Sequence, residues 1–137
     1  MVIRSATTYP AIVGRILTGL RERLGVSQAQ LGDAVGVTQS TWSKIERGES
    51  TLSLDQLRAA TAFLRASPGA VLIEADRAVI ELERQGVKVH PTRVNAPASS
   101  GFALISGAAL AVLLGAAAAA LASTSAAEKE PGNEKKK

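Results

Sequence analysis

Between residues 10 and 86 the chain is punctuated so often that nearly every segment has a marked start and stop. Ser27 is followed three residues on by Gln30, and Ser53 by Gln56, giving two S-x-x-Q patterns in which a helix-start hydroxyl and an amide cap each other. Thr38 is a third cap, and Ser67-Pro68 is a cap followed by proline at the first helical position. Gly25, Gly36, Gly48 and Gly86 fall where helices would end. Such spacing leaves room for short helices and little else, so the fold expected is all-α, with no competing strand pattern.

The apolar residues agree. After Pro10, Val13, Ile16, Leu17, Leu20 and Leu24 recur at helical steps and predict one inward face. Leu31 and Val35 serve the second helix and Gly36 stops it. Trp42 and Ile45 are the buried pair of a third helix, running from Thr38 to about Arg47. Leu54, Leu57, Ala60 and Leu64 serve a fourth. A fifth helix is expected from Ser67-Pro68 to about Gln85, with the stripe Leu72, Ala75, Val79 and Leu82. That stripe suits either packing on the same domain or pairing with a second copy.

Two short helices joined by a tight glycine turn cross steeply, and the second projects outward. With Trp42 and Ile45 inside, Gln39, Ser40, Ser43 and Lys44 lie largely outside. These are short neutral hydrogen bonders plus one cation, a set that suits base edges in a major groove, where Gln pairs bidentately with adenine N6 and N7. The free N–H groups at the start of the second helix, near Gln28, can hold a phosphate.

The stretch SQAQLGDAVGVTQSTWSKIERGE, residues 27–49, resembles the helix-turn-helix of the phage Cro/C1 repressor class, the XRE family. The resemblance covers about residues 11–65. It implies a five-helix bundle that binds double-stranded DNA. It implies that Gln28 anchors the second helix to backbone phosphate, that Gln39, Ser40 and Thr41 open the recognition helix, and that Lys44 is a further contact one turn on. It also implies that Glu46 pairs with Arg21 of the first helix. The expected DNA-contacting set is Gln28, Thr38, Gln39, Ser40, Thr41, Ser43, Lys44 and Arg47. The expected structural set is Arg21, Leu31, Val35, Gly36, Trp42, Ile45 and Glu46. Three positions depart from the family pattern. Gly32 replaces the usual alanine, Trp42 replaces the usual Ile or Val, and the following loop ESTLS has no Lys or Arg, which predicts fewer phosphate contacts and a shallower salt dependence.

Charge is consistent with this and mild. The net +4 is concentrated in residues 1–65, with eight Lys/Arg against five Asp/Glu. The chain has no cysteine and one histidine, His90, so neither a disulfide framework nor a multi-His metal centre can form. No cofactor is expected. With no phosphate-binding glycine loop and no nucleophile–base set, an enzyme is the least expected class. The start, MVIRSATTYPAIVGRIL, has no long apolar core after its charge, so no cleavable signal peptide is expected.

Residues 101–122, GFALISGAALAVLLGAAAAALA, carry no charge. As a helix these residues would span roughly 33 Å, against a hydrocarbon core of ~30 Å, so a single transmembrane helix is expected. The alternative is an alanine-rich soluble helix packing on copies of itself or on a partner. Gly107, Ala111, Gly115 and Ala119 form a small-residue row that would let two such helices approach. Flanking charges do not set an orientation; a DNA-binding N-terminal domain requires it to be cytoplasmic.

The expected organisation is an arm at 1–9, the helix-turn-helix domain at 10–66, an additional helix at 67–86 that serves for dimerisation in one reading, and a linker at 87–100 with a short extended piece. The membrane helix at 101–122 and a disordered charged tail at 123–137 follow. The leading function is a DNA-binding repressor, a homodimer tethered to the bacterial inner membrane. One alternative is a membrane scaffold laid out like the rod-shape protein RodZ, using the same fold for a protein partner. The other is the antitoxin of a toxin pair.

Overall fold

The computed structural model describes residues 4–91 and 102–104. Five helices occupy the expected places: α1 (Tyr9–Arg23), α2 (Gln28–Val35), α3 (Gln39–Glu46), α4 (Leu54–Phe63) and α5 (Pro68–Arg84). Both S-x-x-Q patterns form complete capping boxes: the Ser27 and Ser53 hydroxyls accept from the Gln30 and Gln56 N–H groups, and the glutamine side chains accept from the Ser27 and Ser53 N–H groups in return. The expected stops Gly25, Gly36, Gly48 and Gly86 all have positive φ.

The all-α expectation needs correction. Three short strands, β1 (Arg4–Thr8), β2 (Lys88–His90) and β3 (Phe102–Leu104), form a parallel sheet in the order β2-β1-β3. The expected arm is therefore its central strand, whose Ala6, Thr7 and Thr8 are buried. The short extended piece anticipated in the linker is β2. Of the expected apolar helix, the described residues 102–104 are strand; the remainder of 101–122, and the tail at 123–137, lie outside the described residues. No helix among the described residues is long and apolar enough to cross a membrane. The reason the sheet escapes a local reading is that its partners are far apart in sequence, with Thr8 opposite His90 and Arg4 opposite Phe102. Only the packing of α5 along α1 brings the segments before α1 and after α5 side by side.

The core gathers Ile12, Ile16, Leu17, Leu31, Trp42 and Ile45, all essentially sealed from water. Two expected core residues are outside: Leu24, which follows the last turn of α1, is 47% exposed, and Leu54, at the first position of α4, is 80% exposed. On α5 the expected Ala75 and Leu82 are buried, while Val71 and Ala78 are buried in place of Leu72 and Val79, which are half-buried. This buried row packs against α1 and supports the same-domain reading of the helix.

Candidate nucleic-acid interface

The crossing of α2 and α3 depends on two glycines. Gly36 takes φ +82, a left-handed conformation natural to glycine, and ends α2. Gly32 lets the turn pack directly on the helix: a methyl there would lie 2.9 Å from the Val37 carbonyl oxygen and 3.3 Å from that of Thr38. An alanine here would fit only with a shift of this turn, so Gly32 is a packing residue.

Behind the turn lies a buried ion pair. Glu46 and Arg21 are 4% and 8% exposed. Glu46 Oε1 accepts from Arg21 Nε at 2.7 Å and from the Trp42 indole N–H at 2.8 Å. Its Oε2 accepts from Arg21 Nη2 at 3.2 Å and from the Gln28 side-chain amide at 2.8 Å. The guanidinium also donates to the Val26 carbonyl at 2.9 Å, tying α1 to the start of α2. Burial alone would raise the Glu46 pKa. Hydrogen bonds from Arg21, Gln28 and Trp42, with the Arg21 charge, outweigh it and hold the carboxyl below its ordinary value.

The expected structural residues Leu31, Trp42, Ile45, Arg21 and Glu46 are buried; Val35 is half-buried and Gly36 exposed. Of the expected DNA-contacting residues, Gln39, Ser40 and Lys44 are exposed on the outer side of α3. Thr38 is exposed, but its hydroxyl accepts from the Thr41 N–H at 3.1 Å and donates to the Thr41 hydroxyl at 3.0 Å, so it works first as a cap. Thr41 and Ser43 are half-buried. Arg47 donates to Ser43 Oγ and to both carboxylate oxygens of Glu49, an exposed pair that partly offsets its charge.

Gln28, expected as a phosphate anchor, is half-buried and has partners within the protein. Its amide nitrogen donates to Glu46, and its amide oxygen accepts from the Gln39 side chain at 2.8 Å. A carboxylate in the core is thus connected, through two amides, to the outer face of α3. The sequence reading placed all three residues and paired Glu46 with Arg21, but missed this chain; two glutamines each opening a helix, eleven positions apart, are the only local trace of it. It missed Gly14 as well, where a methyl would lie 2.4 Å from the Glu46 carbonyl oxygen, so α1 meets the end of α3 backbone to backbone. No cluster of residues among those described could hold a metal ion.

Comparison with known proteins agrees with this geometry. The model of a family described as a helix-turn-helix domain matches residues 12–72. The crystal structure of the clp gene regulator ClgR from Corynebacterium glutamicum is similar to this one, with a TM-score of 0.54 and 30% sequence identity, covering 56% of this chain and 82% of that chain. No curated protein matches the chain. A glycine-turned pair of short helices, an outward polar face over a sealed indole, and these matches agree on one family: the chain belongs to the helix-turn-helix domain proteins.

Proposed function

We propose that the chain is a sequence-specific DNA-binding transcriptional regulator, a repressor, which lays α3 in the major groove. One observation carries the reading: Gln39, Ser40 and Lys44 stand exposed on a helix whose opposite side is anchored by fully buried Trp42 and Glu46. A helix of ~10–12 Å diameter enters a groove about 12 Å wide, and amide, hydroxyl and ammonium groups there meet base edges and phosphates. The outer side of α3 has no exposed aromatic or large aliphatic side chain, which favours DNA over the protein partner a scaffold would need. The similarity to a clp gene regulator supports the same class of function.

Two copies would bind a pseudo-palindromic site with half-sites about 34 Å apart. The uncharged stretch beyond β3 serves as a tether to the inner membrane. With Phe102–Leu104 in the sheet, residues 105–122 remain. As a helix they would reach roughly 27 Å, at the short end for a hydrocarbon core of ~30 Å.

The test is selection of bound fragments from random DNA, repeated with the Gln39→Ala, Lys44→Ala double variant. The double variant is expected to keep its circular dichroism and lose the selected sequence; a variant that binds the best site as tightly as wild type would refute the role of α3. Carbonate washing of membranes tests the tether, and recovery of the full chain in the soluble fraction would remove it.

A further inference from the structure

We infer that the apolar groove between α1 and α4 is a docking site for residues 105–114 of the same chain, which it shelters when they are not in a bilayer. The inference is independent of the DNA-reading role of α3 and takes the proposed tether only as the competing state.

The groove holds about 460 Å³ and opens between the start of α1, the end of α3, the loop at 50–53 and the start of α4. Val13, Ile45 and Leu57 form its buried floor. Leu54 stands at its rim and is 80% exposed, more than any other large apolar side chain among the described residues. None of the residues lining the groove is charged. Apolar surface left open to water beside a hollow of this size is the usual form of a binding site.

The course of the chain names the occupant. Tyr9 and Pro10, which follow β1, line the groove, and so does Pro91, which follows β2. The groove therefore lies off the end of the sheet toward which its parallel strands run. β3 points the same way, with Leu104 opposite Ala6, three positions before Tyr9. At ~3.3 Å per residue, the chain leaving β3 has about 10 Å to travel before it is level with the groove. What leaves is uncharged from residue 105 to residue 122, and Ile105, Leu110, Leu113 and Leu114 all fall at its start. Neither surface gives up a hydrated charge when the two meet. The connection is so short that the segment's effective concentration at the groove is of order mM, and a contact with a Kd of about 1 mM is already half-occupied. Docked, the segment is hidden from water and from other copies; inserted in lipid, it leaves the groove open.

The experiment uses the full chain, which has no cysteine of its own. A single Leu54→Cys thiol then reports on the groove rim through its rate of alkylation by a sulfonated maleimide. The rate is measured in detergent-free buffer, and again in vesicles of phosphatidylethanolamine and phosphatidylglycerol. In buffer, adding Leu110→Asp and Leu113→Asp is expected to raise the rate about tenfold, the protection lost from a site occupied roughly nine-tenths of the time. A thiol at Leu24→Cys, exposed but away from the groove, is expected to react alike with and without the two aspartates. In vesicles the Leu54→Cys thiol is expected to react at the unprotected rate. Equal rates in buffer with and without the aspartates would overturn the inference and leave both the DNA-reading role and the tether standing. Protection that grows with protein concentration would put the segment on another copy and overturn docking within one chain. Protection that persists in the vesicles would uphold the docking and count against the tether instead.

Discussion

The indole N–H of Trp42 donates to Oε1 of Glu46, one helical turn along α3, across 2.8 Å. A side chain fully sealed from water thus fills the core and also supplies one of the four donors around a buried carboxylate. Among the described residues no buried side-chain nitrogen or oxygen lacks a partner. The indole adds a hydrogen bond that an Ile or Val at this position could not make.

Replacing Trp42 with Phe keeps most of the volume and removes that donor. A lost hydrogen bond to a buried charge costs about 1.5–3 kcal/mol, and the smaller ring leaves a void that adds to it. Urea unfolding followed by circular dichroism should show destabilisation of roughly 2–4 kcal/mol. An unchanged midpoint would mean that the indole N–H contributes nothing to holding Glu46.

The Glu46 carboxyl gives the protein an acid-sensitive stability. Its folded pKa lies below the ordinary 4.5, so over the acid range the unfolded chain binds the proton more readily than the native one. The stabilisation is complete above about pH 4.5 and is lost as pH falls through the folded value. Glu46→Gln should remove this part of the acid dependence. It should also cost about 3–5 kcal/mol at neutral pH, because Arg21 would remain buried without its charge partner. Thermal melts of the two proteins across the acid range check both statements; parallel curves would show that Glu46 does not carry the dependence.

Much of this site was legible because its rules are local. A hydroxyl and an amide three residues apart define a helix start, and Trp42 and Ile45 at helical spacing define the inside of α3; both are as read. The Arg21–Glu46 pair came from resemblance and has its counterpart in the geometry. What escaped depends on neighbours the chain brings together only on folding. β1 has its strand partners at residues 88–90 and 102–104, so Arg4–Thr8 looked like an arm. The contacts of Gln28 with Glu46 and Gln39 escaped because neither residue is adjacent to it in sequence. On α5, Ala75 and Leu82 are buried as read, and Val71 and Ala78 replace the half-buried Leu72 and Val79.

Two glycine substitutions should move stability in opposite directions. At Gly14 an added methyl would lie 2.4 Å from the Glu46 carbonyl oxygen and 2.7 Å from that of Ile45, both backbone atoms with little freedom. Gly14→Ala should destabilise by at least about 1–3 kcal/mol, the usual cost of overpacking. At Gly69, in the first turn of α5, an added methyl meets nothing within 4 Å. Gly69→Ala should stabilise by up to roughly 1 kcal/mol through helix propensity and reduced freedom of the unfolded chain. Denaturant midpoints of the two variants decide this, and a Gly14→Ala protein as stable as wild type would mean that α1 does not sit this close to the end of α3.

The sole tyrosine reports on how α1 is held to α5. The Tyr9 hydroxyl donates to Asp76 Oδ1 at 2.8 Å. Burial, the hydrogen bond to Asp76 and the carboxylate's charge, in that order, push its pKa from 10.0 up to about 12. A raised folded value means the native state keeps its proton where the unfolded chain gives it up. The contact's stabilisation is therefore complete below pH 10 and is lost as pH rises toward 12. With one tyrosine in the chain, the ultraviolet signal of tyrosinate follows this group alone. Its midpoint should lie near 12 in wild type and fall part of the way toward 10 in Asp76→Asn, where the charge is gone but the burial remains. The variant should also lose less stability than wild type as pH is raised through this interval. A wild-type midpoint near 10 would mean that Tyr9 and Asp76 do not meet in solution, and that α5 is held to α1 by its apolar row alone.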